Sequence, residues 1–495
     1  MILNSSQIRA IEQKEFRLRE NSFSLMQSAG EKCADFFFNC IPKSKDILVV
    51  CGPGNNGGDG FIIGKSLIDN GYKVKIFLIL NLKNKKNDNF KALKYLDYKV
   101  LNLSDLNREL KKKTKPIIID CIFGTGLNKE VSTAIKRLIR AINIKKTQIF
   151  SIDIPTGVNS DNGQIMGEAI KASVTLALHC KKIGHVLYPG AYFSGKVKVL
   201  DIGIRKFLNK TIKNKITENN PSLWIKKKFP WKKYNSYKYS RGKVYIFGSL
   251  KNYIGASLLS SNAAIRCGAG SVTIISNKET LDKYNQNFFS LLKIEINTIN
   301  ELKNYLKSSV ITSFLIGPGA GVNLSTIENT KLICKLIKNV VIDADALTCF
   351  AKNPKQLFSI LDEDKIITPH EGEFDIIFPE LKNIKSKIEK TLKAAKKANC
   401  IVVFKGPDTI IASPDGRICI NTIGTEELAV IGSGDVLSGI IVSLIGKNKM
   451  SSFDGACAGV WIHSYAGGLV KKGLIAEDII KNLPRALDKL SKKYS

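Results

Sequence analysis

Asp46-Ile47-Leu48-Val49-Val50-Cys51-Gly52-Pro53-Gly54-Asn55-Asn56-Gly57-Gly58-Asp59-Gly60 opens as a short apolar run and ends crowded with glycine. The run has the length and composition of a buried strand. Phe61 to Asn70 has helical spacing, and Lys73 to Leu80 reads as the next strand. Strand, glycine turn, helix and strand make one βαβ unit of a parallel sheet. Gly64-Lys65-Ser66 resembles the end of a phosphate-binding P-loop, but position 59, where its first glycine belongs, is Asp. Gly52-x-Gly54-x-x-Gly57 matches a dinucleotide fingerprint, a weak signal alone. The extra Asn-Asn and Gly-Gly-Asp-Gly exceed what a plain turn needs. They combine side-chain oxygens with close backbone approach.

The pattern recurs on both sides. Ser5 to Phe16 and Phe23 to Asn39 read as amphipathic helices. Pro116 to Phe123 is a strand running into Gly124-Thr125-Gly126-Leu127-Asn128, and Ser132 to Asn143 is a helix. Gln148 to Ile154 is another strand, ending in Asp153-Ile154-Pro155-Thr156-Gly157. Asp120 or Asp153 alone would pass for a turn cap. Three strand ends carrying Asn, Asp and Thr among glycines point to a site, because open α/β sheets bind ligands at the carboxyl ends of their strands.

Residues 205–241 are rich in Lys and Arg, with prolines at 221 and 230, and read as a boundary. Trp224, Trp231, Tyr234, Tyr237 and Tyr239 in this basic stretch would suit base stacking on RNA; a plain connection to the next strand is the simpler reading. Strand-like segments then alternate with helical ones. Lys243 to Ser249, Ser271 to Ile275, Val310 to Ile316, Val340 to Asp345, Lys365 to Pro369 and Cys400 to Phe404 are the strands, the first followed by a small-residue helix from Ser257 to Cys267. A hairpin follows, then Ile431-Gly432-Ser433-Gly434-Asp435, which leads into an apolar helix. Unpaired N–H groups at such a helix start attract phosphate oxygens. A carboxylate placed there suits proton transfer from a hydroxyl attacking phosphorus; the plainer alternative is a helix-capping Asp. His370, at a strand end beside Glu371 and Glu373, is expected to touch ligand; His463 is expected to be packing.

A chain of 495 residues holds two or three domains. A net charge of +33 favours anionic partners, but the lysines are scattered, so a solvated surface attracting anionic metabolites is the main reading. The eleven cysteines lack C-x-x-C pairs or zinc spacing, which fits free thiols in a reducing cytosol. No apolar signal region follows Met1, and Val436 to Gly446 is shorter than the roughly 18 residues that span a bilayer. The expectation is a cytoplasmic protein without membrane or nucleic-acid partners, assembling as a homo-oligomer.

The motifs SLMQSAG, GPGNNGGDG, IDCIFGTGLNKEV, SIDIPTGVNSDNG and ALHCKKIGHVLYPGAYFSGKVKVLDIGI resemble the epimerase domain of the NAD(P)H-hydrate repair enzymes, over about residues 1–205. The resemblance implies a Rossmann-like three-layer fold. It implies a potassium ion on Asn56, Asp120 and Thr156, with Asp153 as acid/base. It implies a hydrate site lined by Asn55, Asn56, Gly57, Gly58, Asp59, Gly124, Thr125, Gly126, Leu127, Asn128, Lys129, Glu130 and Asp153. GSLKNYIGA, GAGSVTI, GPGAG, VIDADAL, TPHEGEF, FKGPDT and IGSGDVLSGII resemble the dehydratase domain of the same system, ribokinase-like, over about 230–490. Here the resemblance implies Ala256, Gly319, His370 and Asp435 against the hydrate, and Lys405, Gly406, Pro407, Asp408, Thr409 and Gly434 against the adenine nucleotide. Asn285 to Ile296 departs from the Pro-Glu and Met of many relatives. The implied function is epimerisation of R- and S-NAD(P)H hydrate, then dehydration of the S form with ADP and Mg²⁺, giving AMP and phosphate. The implied division is an epimerase domain over 1–209, a basic linker over 210–229 and a dehydratase domain over 230–495. The rival readings are a ribokinase-superfamily kinase with a fused Rossmann domain, and a non-catalytic RNA-associated scaffold.

Overall fold

The computed structural model describes all residues except 20, 81, 83–86, 212–215, 232–240, 285–289, 447 and 495. The chain divides into two compact units, Met1–Lys215 and Ile216–Ser495.

The first unit is built on a seven-stranded, wholly parallel sheet. In spatial order its strands are Val100–Leu101, Lys73–Leu78, Asp46–Cys51, Ile117–Cys121, Ile149–Ile152, Val174–Leu178 and Lys196–Leu200. Numbered along the chain this is 3-2-1-4-5-6-7. The order reverses between Asp46–Cys51 and Ile117–Cys121, which is where such sheets open a crevice for ligand. The central strands Asp46–Cys51, Ile117–Cys121 and Ile149–Ile152 are buried almost throughout, as expected where both faces of a parallel sheet are covered. Ile47, Val49 and Cys51 pack into one core layer with Phe37, Phe61 and Phe150, while Leu48 and Val50 pack into the other with Leu138 and Ile139.

The glycine stretch differs from its sequence reading. The helix begins at Asn55 and runs to Asp69, so Gly57, Gly58 and Gly60 lie inside it. Packing explains why glycine is tolerated there despite its poor helix propensity. A Cβ on Gly57 would lie 2.0 Å from the Gly52 carbonyl oxygen, one on Gly58 2.5 Å from Met26 Sδ, and one on Gly60 2.6 Å from Cys51 Sγ. Gly57 and Gly60 let the helix approach the end of the strand Asp46–Cys51 closely, and Gly58 lets it approach the helix Phe23–Phe38.

The second unit repeats the plan. Its parallel strands, in spatial order, are Leu292–Glu295, Ser271–Ser276, Lys243–Phe247, Ser313–Ile316, Val340–Ile342, Lys365–Ile367 and Ile401–Phe404. Their chain order is again 3-2-1-4-5-6-7, with the reversal between Lys243–Phe247 and Ser313–Ile316. Ile410–Ala412 and Ile418–Ile420 extend the sheet antiparallel. The apolar helix Ser433–Leu444 is buried from Val436 onward and lies so close to the helix Ile254–Arg266 that a Cβ on Gly439 would meet Ser260 O at 2.1 Å.

The expected linker over 210–229 is corrected in its described part. Ile216–Glu218 is a strand paired with Ile418–Ile420. Trp224 is 1% exposed and stacks on Phe229 within the core of the second unit. The lysines of this stretch masked the spaced apolar residues that bury it. Trp224 is therefore unavailable for base stacking, Trp231 is half-buried against Phe229, and Tyr234, Tyr237 and Tyr239 lie outside the described residues. Part of the departure at Asn285 to Ile296 lies outside them too.

Candidate active sites

In the first unit the crevice gathers the predicted residues from the three strand ends. Asp153 follows Ile149–Ile152 and holds a left-handed φ of +67°, a conformation that costs a non-glycine residue energy and that clusters at functional positions. Its carboxylate accepts a hydrogen bond from Lys182 Nζ, which also donates to the Leu178 carbonyl at 2.8 Å. Lys182 is 1% exposed. A Cβ on Gly124 would lie 3.3 Å from Asp153 Oδ2 and 3.4 Å from Asn56 Cβ, so Gly124, Asn56 and Asp153 converge.

A second polar cluster is tied to the start of the Gly124 loop by Phe123 N, which donates to Thr156 Oγ1 at 3.0 Å. Asp120 is fully buried and accepts hydrogen bonds from Thr156 N at 2.9 Å, Thr156 Oγ1 at 2.7 Å, Ser151 Oγ at 2.8 Å and Ile122 N at 3.2 Å. Burial pushes its pKa up, and those hydrogen bonds oppose the shift. Both polar atoms of the buried Asn56 amide lack a hydrogen-bond partner. Leaving a buried amide unmet costs roughly 1–3 kcal/mol. Burial, reinforced by the negative charge of Asp153, pushes Asp59 well above the carboxylate range and Glu12 to about 7. Asn55 is exposed, and Asn128, Lys129 and Glu130 form the exposed continuation of the Gly124 loop, with Glu130 paired to Lys136 at 2.7 Å.

Sequence reasoning missed Lys182 and Glu12 as members of this site. Lys182 stands in the quoted stretch ALHCKKIGHV, yet nothing local marks it. Its partner is 29 residues away.

In the second unit Gly432 takes φ +83° and starts the helix that carries Asp435 in its first turn. The Lys405 ammonium lies 3.5 Å from where a Gly434 Cβ would stand. It pairs with Asp343 at 2.9 Å and reaches Glu373 at 3.8 Å. Among the described residues no cation pairs directly with Asp435. Burial, then the charge of Asp343, raise its pKa to about 7. His370 caps the helix Glu371–Ile377, accepting from Glu373 N at 3.3 Å, and its side chain is 60% exposed and free to meet ligand. Gly319, at φ +64°, sits against Ser249 and Tyr253, and Ala256 is half-buried in the first turn of its helix. Asp408 is held by Lys387, and the Thr409 hydroxyl donates to Gly406 O at 2.8 Å, so Gly406–Thr409 forms a tied turn with Pro407 exposed. His463 is buried as expected, but it also contacts Ser433, with Nε2 3.1 Å from its hydroxyl and 3.0 Å from its carbonyl oxygen. Burial holds it near 4, hence neutral. Its sequence context gave only packing.

Comparison with known proteins bears on both halves. The family model described as YjeF-related protein N-terminus matches residues 22–184, and that described as NAD(P)H-hydrate dehydratase matches 244–486. The bifunctional NAD(P)H-hydrate repair enzyme Nnr of Dictyoglomus turgidum is 32% identical over 94% of this chain and 94% of its own length. The chain belongs to the bifunctional NAD(P)H-hydrate repair enzymes. The Nnr of Thermofilum pendens is 29% identical over 95% of this chain and 93% of that one. The crystal structure of the ADP/ATP-dependent NAD(P)H-hydrate dehydratase from Bacillus subtilis, co-crystallised with ATP/Mg²⁺, is 22% identical, covers 55% of this chain and 98% of its own, and has a TM-score of 0.48. As a member of the repair family the chain joins an NAD(P)H-hydrate epimerase to an NAD(P)H-hydrate dehydratase. Among the described residues no helix is long and apolar enough to cross a membrane.

Proposed function

We propose that the crevice of the first unit interconverts the R and S hydrates, with Asp153 as the acid/base, and that the second unit dehydrates the S form. Asn56, Asp120 and Thr156 would hold a potassium ion. The buried, unpartnered Asn56 amide and the linked Thr156 hydroxyl and Asp120 carboxylate support this, since alkali cations take hard oxygen ligands. Such an ion would supply a fixed positive charge facing the anionic substrate. Lys182 holds the Asp153 carboxylate in one orientation while Asp153 gives a proton to the hydroxyl that leaves as water and later takes one from the water that adds back to the other face of the ring.

In the second unit the observation that carries the reading is Asp435 itself. It is a carboxylate that no cation among the described residues pairs with directly, with a pKa of about 7, in the first turn of a helix that no side chain caps. It takes the proton of the hydrate hydroxyl as that oxygen attacks the terminal phosphorus of ADP and the bond to AMP breaks. Amides around Gly432 to Gly434 stabilise the phosphoryl oxygens. Lys405 to Thr409 hold the nucleotide, with Mg²⁺ on its diphosphate, while Ala256, Gly319 and His370 contact the hydrate. The phosphorylated carbon then expels phosphate, pushed by the ring nitrogen. Loss of the neighbouring ring proton restores NADH or NADPH.

The test incubates the full chain with mixed hydrates, Mg²⁺ and ADP or ATP, in potassium or in sodium buffer. Both epimers should be consumed with ADP, one AMP and one phosphate appearing per cofactor restored. Replacing potassium should slow the R epimer alone. A phosphorylated product that accumulates would overturn the dehydration reading.

A further inference from the structure

The site of the second unit contains a buried carboxylate to which the chemistry above gives no task. Asp343 follows the strand Val340–Ile342 and is 1% exposed. Burial of a charge is costly unless it is paired and hydrogen-bonded. Asp343 meets both conditions. One oxygen takes the Lys405 ammonium at 2.9 Å, and the other accepts the Ser438 hydroxyl. Ser438 stands on the same helix as Asp435, one turn further on, and its hydroxyl also reaches the Gly434 carbonyl at 3.0 Å. Asp343 thus ties three things together: the end of its own strand, the lysine from the end of Ile401–Phe404, and the helix that presents Asp435.

Resting on the reading of Asp435 as the base, we propose that Asp343 is a positioning residue for the dehydration: it clamps the Lys405 ammonium at the start of the helix Ser433–Leu444 and sets the charge that Asp435 faces. The clamp has two consequences. A lysine held by Asp343 is directed away from pairing with Asp435, which keeps that carboxylate free to accept a proton. The negative charge of Asp343 also disfavours a second negative charge nearby. The other charged groups facing Asp435 are Asp345, Glu373 and Lys405, while the neighbouring His463 is neutral. Lys405 is the one cation in this set. Loss of Asp343 therefore removes a negative charge and frees a positive one, and both changes weaken Asp435 as a base.

The experiment measures kcat/KM for ADP-dependent dehydration against pH in the full chain, in the parent, in Asp343→Asn and in Ser438→Ala. Epimerisation in the same preparations reports folding of the other unit, and thermal unfolding reports the second. The parent's acid limb should fall near pH 7. In Asp343→Asn it should move down by about one unit or more. In Ser438→Ala, which removes a hydrogen bond and no charge, it should stay in place. A limb unmoved in Asp343→Asn, with or without a fall in rate, would overturn the proposal. So would an equal shift in Ser438→Ala. A parent with no limb near neutrality, or an active Asp435→Asn, would instead remove the base reading beneath it.

Discussion

The two units wind their sheets in the same order and open their crevices at the same reversal, but each places its site lysine differently. In the first, Lys182 bonds Asp153, the carboxylate proposed as acid/base. In the second, Lys405 bonds Asp343, and among the described residues no cation pairs directly with Asp435. The glycines differ likewise. Gly57 and Gly60 have no room for a Cβ because neighbouring chain and side chains fill the space, whereas a Cβ on Gly434 would meet only Lys405 Nζ, at 3.5 Å. One unit uses a direct ion pair to fix a carboxylate in place. The other buries its carboxylate beside a second one, which raises its pKa, and leaves space at Gly434. A shared topology therefore constrains where chemistry occurs and leaves its electrostatics open.

The sharpest break of this contrast is Asp435→Asn. Dehydration should fall about 10²–10⁴-fold, the usual cost of removing a general base, while epimerisation and nucleotide binding persist. Turnover within a few-fold of the parent would show that the unpaired carboxylate is not the base.

Lys182→Met attacks the other side. Removing one partner of a buried pair typically costs about 3–5 kcal/mol. Denaturant unfolding should show the transition of the first unit moving to lower concentration, with epimerase activity lost and the dehydratase intact. An unchanged transition would mean that Asp153 does not depend on its lysine.

The glycines give a smaller effect of opposite kind. Gly57→Ala forces a methyl group onto Gly52 O and should destabilise the first unit by about 1–3 kcal/mol, as overpacking does. Gly434→Ala should fold normally and raise the KM for ADP. If Gly434→Ala instead melted early with an unaltered KM, the space beside Lys405 would be structural.

The gentlest test is pH alone. Asp435 has a raised pKa, so it is protonated below about 7 and the base disappears as pH falls through that value. Dehydration at pH 6 should run about tenfold below its plateau, since each unit below the pKa leaves a tenth of the base. A flat profile from pH 6 to 8 would remove the distinction between the two carboxylates.

Much of this was legible in the chain. Glycines and acids after Cys51, Cys121, Ile152 and Ile316 mark strand ends, and alternation of strand and helix gives the parallel sheets. What escaped was set by distance in sequence. Lys182 meets Asp153 across 29 residues, and Ser433 meets His463 across 30. Glycine's turn preference also pointed to a loop at Asn55–Gly60, where close packing made a helix. The lysine-rich composition of 210–229 concealed Ile216, Trp224 and Phe229, whose burial depends on residues some 200 positions away.

That last feature bears on where the chain tolerates a break. Ile216–Glu218 supplies the backbone partner of Ile418–Ile420. A dehydratase fragment begun at residue 230 would lose this cover and present Ile418-Cys419-Ile420 as a naked apolar edge, the kind of edge along which β-proteins stick to one another. A protease nick just after Glu218 would do the same to the intact protein if the severed piece were released. A fragment begun at or before Ile216 keeps this strand on Ile418–Ile420. The short strand thus keeps Ile418–Ile420 from lying as a free edge.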